Sequence, residues 1–269
     1  MGVAFSIGPI DIRWYGIILV IAIIAGMFLA RIEAKRRGEN PEHVFTGMLL
    51  VVPLGFIGAR VYHVIDKWSY YSHYPSEIIG GAGLGIFGAV IGGTIGVFIY
   101  TKWKKLNMLR WFDIVAPAVI LAQAIGRWGN YFNQEVYGKP TDMPWAIYIA
   151  PENRLPGYES ISHYHPLFFY ESMLNLIGCI MLLVIGRKYK NRLLDGDLFF
   201  IYLIYYSTVR FGLEWLRIDN WKIAGFPTAC WVSIAAIIVS ISIMTYRRRR
   251  LRRQNKPEVL SDPPVEGVK

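Results

Sequence analysis

Arginine, carboxylate and amide side chains recur within otherwise apolar stretches of this 269-residue chain. Arg210, Glu214 and Arg217 are spaced i, i+4 and i+7, so one face of a helix would present all three. Arg127 and Asn130 are spaced i, i+3 and would share a face if a helix extends that far. Guanidinium groups bind phosphate oxygens in a bidentate geometry, so the two clusters indicate a site for a phosphorylated ligand. Structural ion pairing is the alternative interpretation of both clusters.

Other residue types that could perform catalysis give weaker signals. His163 and His165 form a His-x-His pair, but a zinc site needs more ligands than this pair, so we expect no metal there. The sequence contains no Gly-x-Ser-x-Gly motif and no Gly-Lys-Ser/Thr phosphate loop. A serine hydrolase and a nucleotide-driven pump are therefore disfavoured.

The elements that must position these side chains are hydrophobic helices. Apolar residues make up 54% of the chain and charged residues only 18%, below the proportion typical of soluble domains. Four apolar stretches contain no Asp, Glu, Lys or Arg, and three more contain isolated charges. They are 14–30, 44–59, 78–101 and 223–246, and then 111–126 with Asp113, 167–186 with Glu171, and 198–215 with Arg210 and Glu214. The sequence predicts an all-α integral membrane protein with about seven transmembrane helices.

The distribution of basic residues predicts the orientation. They concentrate in every second segment between the apolar stretches, which the positive-inside rule places in the cytoplasm. These segments are 31–37, 102–110, 187–192 and 247–269. The N-terminus is then predicted outside and the C-terminus in the cytoplasm. We attribute the net charge of +10 to topology, and we expect no nucleic-acid partner, because no nucleic-acid-binding module accompanies the charge.

The chain is expected to form one polytopic membrane domain over residues 1–246, followed by a basic cytoplasmic tail over 247–269. Residues 127–166 are polar and contain several prolines, so we predict a small outward-facing head there. Glycines recur at short intervals across 80–96. Such spacing permits either close helix packing or the approach of a lipid headgroup to the backbone.

Several motifs of this chain are similar to those of a known family. The run Gly126–Glu135, continued by Val136–Gly138, resembles the signature of bacterial phosphatidylglycerol–prolipoprotein diacylglyceryl transferases. Further stretches agree in chain order: Arg13–Gly16, Gly83–Ala89, His165–Pro166 with Tyr170–Glu171, and Arg210–Phe211 with Glu214 and Arg217. The resemblance covers about residues 13–219, which is nearly the whole predicted membrane domain.

This resemblance implies an activity. Enzymes of the family move the diacylglyceryl group of phosphatidylglycerol onto the thiol of the lipobox cysteine in a preprolipoprotein. The products are a thioether and glycerol 1-phosphate, in the first step of bacterial lipoprotein maturation. The implied partners are phosphatidylglycerol, the signal peptide with its lipobox cysteine and membrane lipid, without metal or cofactor. The implied location is the bacterial inner (plasma) membrane, as a multi-pass protein.

The resemblance also implies roles for individual residues. Arg127 would contact the lipid headgroup and Arg210 would be essential, with Glu135 and Tyr15 as further catalytic residues. The residues implied to bind substrate are Arg127, Asn130, Gly138, Glu214 and His165.

One position departs from the family pattern. Many members have a histidine in the glycine-rich segment, often proposed as the general base, where this chain has Phe87. The sequence leaves Glu135, His165 and Tyr15 as candidates for the base. A transporter of an anionic lipid would use the same arginines without chemistry, although the internal repeats common in transporters are not evident. A scaffold protein would not explain charges at membrane depth.

Overall fold

The computed structural model describes residues 2–8, 10–80 and 83–254, and these residues form nine α-helices. The helices are α1 (Trp14–Arg36), α2 (Glu42–Asp66), α3 (Trp68–Tyr71), α4 (Glu77–Gly80), α5 (Ile86–Trp103), α6 (Met108–Asn133), α7 (Leu167–Lys188), α8 (Asp197–Glu214) and α9 (Thr228–Gln254). Gly81 of the glycine-rich segment and residues 255–269 of the predicted tail lie outside the described residues.

Three short β-hairpins accompany the helices, which an all-α prediction does not include. The antiparallel pairs are β1 (Val3–Ile7) with β2 (Ile10–Arg13), β3 (Ile147–Tyr148) with β4 (His163–Tyr164), and β5 (Lys222–Ile223) with β6 (Phe226–Pro227). The first precedes α1, the second lies between α6 and α7, and the third lies between α8 and α9. Strands this short leave little alternating pattern for a sequence to reveal.

Six helices are long and apolar enough to cross a membrane: α1, α2, α5, α6, α7 and α9. Helix α8 has 18 residues but contains Asp197, Arg210 and Glu214, and it is not among these six. Large apolar side chains are exposed along the six helices, among them Phe28, Phe56 and Ile180. A lipid-facing surface has this character, so the chain is a multi-pass membrane protein with six candidate spans, one fewer than predicted.

Two helix boundaries differ from the predicted ones. Helix α6 continues through Asn133, so the segment between α6 and α7 begins at Gln134 rather than at 127. Gln134 ends the helix in the left-handed conformation, with φ of 50°. Helix α5 begins at Ile86 rather than at 78, because glycines disfavour helix and Gly83 has φ of 107°.

Helices α2 and α5 pack with their backbones in contact. A Cβ atom at Gly88 would overlap the carbonyl oxygen of Gly58, and one at Gly92 would overlap the carbonyl oxygen of Leu54. Only glycine permits so close an approach. At Gly88 and Gly92 the structure therefore supports helix packing as the reason for the glycine-rich sequence.

Helix α6 lies at the centre of the bundle, where it packs against α1, α7 and α8. The hydroxyl of Ser172 in α7 donates to the carbonyl oxygen of Ala124 in α6 at 2.8 Å. The thiol of Cys179 in α7 donates to the carbonyl oxygen of Pro117 in α6 at 3.4 Å. These contacts set the register between α6 and α7. The buried core shared by α6, α7 and α8 comprises Ala116, Ile120, Cys179, Leu182, Leu198 and Tyr202.

The basic segments converge at one end of the bundle, which we call the basic end. The ion pairs there join Arg37 to Asp113 (3.4 Å), Arg187 to Glu33 (3.3 Å), Arg110 to Glu39 (2.8 Å) and Arg248 to Asp197 (2.8 Å). Asp113 also accepts backbone N–H groups from Gly196 and Phe199, both at 2.9 Å. It thereby satisfies donors at the start of α8, so its burial has a structural reason.

Candidate active site

A chain of ion pairs joins three helices at the end of the bundle opposite the basic end. Arg127 Nη2 in α6 lies 2.5 Å from Glu171 Oε1 in α7, and Arg210 Nη1 in α8 lies 3.6 Å from Oε2 of the same carboxylate. Arg210 Nη2 pairs with Glu214 Oε2 at 2.6 Å. We call these four residues the arginine network. The two clusters predicted from spacing are therefore parts of one site.

The arginine network is largely withdrawn from solvent. The side chains of Glu171 and Glu214 are only 4% and 5% exposed, and those of Arg127 and Arg210 are 24% and 16% exposed. Charges buried to this degree are stable because each has an opposite charge within 4 Å. The remaining exposure belongs to the guanidinium-bearing side chains, so these are the groups that a ligand can reach.

Two further side chains of α8 and its C-terminal turn adjoin the network. Tyr206 lies one helical turn before Arg210 on α8, and its hydroxyl interacts electrostatically with the Arg127 guanidinium. Arg217 interacts electrostatically with Arg210 and Glu214, yet among the described residues no carboxylate oxygen lies within 4 Å of its guanidinium. Burial, together with the charge of Arg210, lowers the pKa of Arg217. A bound anion would stabilise its charged form.

The site brings three guanidinium groups together. Arg127, Arg210 and Arg217 contribute three guanidinium groups, and Glu171 and Glu214 contribute two carboxylates. The Glu135 carboxylate, which Asn130 links to Arg127, is a third. Among the described residues Arg217 has no carboxylate oxygen within 4 Å, so its guanidinium can pair with the negative charge of a phosphodiester. In a site that excludes water, this attraction is much stronger than at a protein surface.

Asn130 connects the arginine network to Glu135. Arg127 Nη1 donates to Asn130 Oδ1 at 3.5 Å, and Asn130 Nδ2 donates to Glu135 Oε1 at 2.9 Å. Asn133 Nδ2 donates to the same oxygen at 3.3 Å. The backbone N–H of Glu135 also donates to the Asn130 carbonyl at 3.0 Å, just beyond the end of α6. The Glu135 carboxylate is thus held beside Arg127 by a buried amide.

Gly138 takes part through its backbone. Its N–H donates to the His165 carbonyl at 2.9 Å, and a Cβ atom at this position would lie 2.8 Å from His165 Cβ and 3.0 Å from Leu167 Cγ. Gly138 also pairs with Arg217 in an isolated β-bridge. The segment that follows Glu135 is therefore held between the start of α7 and the turn after α8.

The remaining predicted site residues lie around this centre. His165 Nδ1 lies 3.1 Å from the Tyr170 hydroxyl, which accepts a hydrogen bond from Trp145 Nε1 at 2.6 Å. Tyr15 of α1 packs directly against the backbone of Gly129 in α6. Direct contacts join the predicted residues Arg127, Asn130 and Glu135, and also Arg210 and Glu214, and Glu171 connects these two groups. The other three predicted residues border them: Gly138, His165 and Tyr15.

Phe87 lies in α5, where its ring packs against Tyr62 of α2 with centroids 5.9 Å apart.

Two members of the site were not assigned to it from the sequence. Glu171 was recognisable as a charge within an apolar stretch, and the network shows it to be the carboxylate shared by two arginines. Tyr206 gave only its four-residue spacing from Arg210 as a signal.

Comparison with known proteins identifies the family. The profile for prolipoprotein diacylglyceryl transferase matches residues 2–246. A phosphatidylglycerol–prolipoprotein diacylglyceryl transferase of Streptococcus equi subsp. zooepidemicus (strain MGCS10565) is 39% identical over 250 residues, which cover 92% of this chain and 95% of that protein. Proteins of the same name from Trichormus variabilis and Lysinibacillus sphaericus are 38% and 39% identical over 267 and 257 residues. Those alignments cover 97% and 93% of this chain, and 94% and 93% of the relatives. The chain therefore belongs to the prolipoprotein diacylglyceryl transferase family.

Proposed function

We propose that this chain transfers the diacylglyceryl group of phosphatidylglycerol to the thiol of the lipobox cysteine in a prolipoprotein, the first step of lipoprotein maturation. The observation that supports this best is the arginine network, a largely buried site whose two guanidinium groups, with that of Arg217 beside them, suit the phosphate of a phosphodiester. The names of the relatives specify the same two substrates and the same transferred group.

The proposed reaction exchanges a carbon–oxygen bond for a carbon–sulfur bond. The cysteine thiolate attacks the glyceryl carbon that is esterified to the phosphate, and a thioether forms. The carbon–oxygen bond breaks with its electron pair on the phosphate oxygen, which leaves as glycerol 1-phosphate. Negative charge builds up on this phosphate in the transition state. Guanidinium groups fixed in position beforehand stabilise that charge without reorganisation.

The contacts suggest a role for each residue. Arg127 and Arg210 would bind the phosphate, with their guanidinium planes held by Glu171 and Glu214. The attacking thiol must lose its proton, and nearby cations favour the thiolate. Of the three candidates for the base, we assign Glu135, because Asn130 holds its carboxylate beside Arg127.

The bordering residues would shape the site. Gly138 and His165 would bind substrate indirectly, since their shared backbone hydrogen bond fixes the segment after Glu135. Tyr15 would line the approach from α1, next to Gly129.

We further propose that α8 is a seventh transmembrane helix. It runs from Asp197, which pairs with Arg248 at the basic end, to Arg210 and Glu214 in the arginine network. It therefore covers the same depth as α6 and α7, and its three charged side chains have ion-pair partners that reduce their cost in a membrane. Seven crossings place the termini on opposite sides.

The positive-inside rule then assigns the basic end to the cytoplasm and the N-terminus to the outside. The arginine network would open near the outer leaflet of the bacterial inner membrane. A secreted prolipoprotein emerges on that side, so its lipobox cysteine would meet the site directly.

Removal of Arg127 tests the site. We expect Arg127→Ala to reduce diacylglyceryl transfer by at least about 100-fold, since loss of one fixed donor to a transition-state anion has an effect of this size. The matched control is Arg31→Ala, which removes an exposed arginine from its 2.8 Å pair with Glu42. The control should transfer at the normal rate. Near-normal turnover of labelled phosphatidylglycerol by folded Arg127→Ala would refute the assignment.

A further inference from the structure

Two amide side chains inside the bundle have polar atoms without a hydrogen-bond partner. Asn175 of α7 is 0% exposed, and neither its Oδ1 nor its Nδ2 has a partner among the described residues. Gln123 of α6 donates from Nε2 to the Tyr202 hydroxyl at 3.0 Å, but its Oε1 is buried without a partner in the same part of the structure. Buried polar atoms are almost always hydrogen-bonded, so these atoms are positions at which a bound group can supply the missing partner.

These side chains lie one helical turn deeper than the arginine network. Gln123 is four residues before Arg127, and Asn175 is four residues after Glu171. Tyr202 is four residues before Tyr206 on α8, the residue that adjoins Arg127. One turn corresponds to about 5.4 Å along each helix. We call Gln123, Asn175 and Tyr202 the polar layer.

The register of α6 and α7 places Asn175 at the depth of Gln123. Ser172, three residues before Asn175, donates to the carbonyl oxygen of Ala124. Gly178, three residues after Asn175, lies against Ile120, where a Cβ atom would meet the Ile120 side chain at 2.6 Å. Asn175 therefore lies between the levels of Ala124 and Ile120, which is where Gln123 occurs.

The free hydrogen-bonding positions define the ligand's chemistry. Gln123 Oε1 and Asn175 Oδ1 can accept, and Asn175 Nδ2 can donate. The Tyr202 hydroxyl accepts from Gln123 and keeps its own proton to donate. A hydroxyl group both donates and accepts, whereas a phosphate oxygen only accepts and an ammonium only donates. The layer contains no charged side chain, so it suits a neutral polyol.

We propose that the polar layer binds the terminal glycerol hydroxyls of the phosphatidylglycerol headgroup while the arginine network binds its phosphate. This inference rests on the proposed function. A glycerol esterified to a phosphate at Arg127 can extend by about one helical turn, which is the distance from Arg127 to the level of Gln123. A site with buried hydrogen-bonding groups discriminates strongly against an analogue that lacks the matching hydroxyls, because those groups are then left unpaired.

Headgroup selectivity tests the proposal. The full-length purified protein is given a lipobox peptide with either phosphatidylglycerol or phosphatidylpropanol, which lacks the terminal hydroxyls, and kcat/KM for thioether formation is measured. We expect the wild type to prefer phosphatidylglycerol by at least about 100-fold. Asn175→Leu should reduce kcat/KM for phosphatidylglycerol about 10-fold or more, and leave that for phosphatidylpropanol unchanged. Gln123→Leu should act in the same way, and it serves as the test if Asn175→Leu does not fold.

The control is Cys179→Ala, one turn further along α7 in the apolar core, which should leave the selectivity ratio unchanged. The inference fails if the wild type uses both lipids equally, or if the two leucine variants slow both lipids by the same factor, as a water-filled or purely structural layer would. Failure of the proposed function is distinct, since the wild type would then transfer from neither lipid.

Discussion

Glu171 is the position where a small change should affect the site most clearly. Its carboxylate is shared by Arg127 at 2.5 Å and Arg210 at 3.6 Å, and it is almost completely buried. Glu171→Gln preserves the side-chain volume and one acceptor oxygen but removes the charge. Two guanidinium groups then lose their common counter-charge, and the net charge of the site becomes more positive by one unit.

The contacts of the two arginines set the size of the effect. Arg127 would keep its hydrogen bond to Asn130 at 3.5 Å and its electrostatic interaction with Tyr206, but no carboxylate within 4 Å among the described residues. Arg210 would keep its 2.6 Å pair with Glu214. Essentially one buried pair is broken, so we expect the free energy of unfolding to fall by about 3 kcal/mol. This is the lower end of the usual range, because Arg127 is 24% exposed.

The free energy of unfolding can be measured on purified protein in mixed micelles by titration with a denaturing detergent. Glu42→Gln is the matched control, since it breaks the exposed 2.8 Å pair with Arg31 and should cost less than about 1 kcal/mol. Inorganic phosphate should stabilise Glu171→Gln more than the wild type. The reasoning is refuted if the two variants lose equal stability, or if phosphate affects neither protein.

Three further predictions concern single positions. Gly138→Ala should destabilise the protein by about 1–3 kcal/mol, because the added Cβ would lie 2.8 Å from His165 Cβ. The same variant should lower kcat, and an unchanged kcat would show that this backbone segment does not position the site. Phe87→His should leave transfer intact in a lipobox-peptide assay, because the arginine route does not use this position, and a severe loss of thioether formation would count against that route. Gly92→Ala should force α2 and α5 apart and lower the unfolding temperature. Gly93→Ala is the control and should leave the unfolding temperature unchanged, because its Cβ would make only a 3.9 Å contact. Equal effects of the two variants would contradict the close packing of α2 against α5 at Gly92.

Much of the fold follows from local signals in the sequence. The apolar stretches predict each of the six candidate spans, and the basic segments predict which ends of the helices meet. The sequence left open whether α6 continues past 127, where the polar, proline-containing segment was predicted to begin, and the helix extends to Asn133. Arg127 and Asn130 both belong to the helix, since partners on α7 and in the following turn satisfy them.

The sequence predicted which residues belong to the candidate site better than it predicted the contacts between them. Helical spacing predicts the Arg210–Glu214 pair, because both residues lie on one helix. The sharing of Glu171 by Arg127 and Arg210 depends on the register between three helices, which no local pattern encodes. The same applies to Gly138, whose importance comes from a backbone hydrogen bond to His165, a residue 27 positions further along the chain.

The most direct test of the central claim is the mass of a lipobox peptide incubated with the purified protein and phosphatidylglycerol. We predict that the peptide gains one diacylglyceryl group on its cysteine, that glycerol phosphate appears in equal amount, and that a peptide with serine at this position gains nothing. If the lipid bound at Arg127 and Arg210 or crossed the bilayer while the peptide mass stayed unchanged, the chain would be a binding or transport protein and the account would be contradicted.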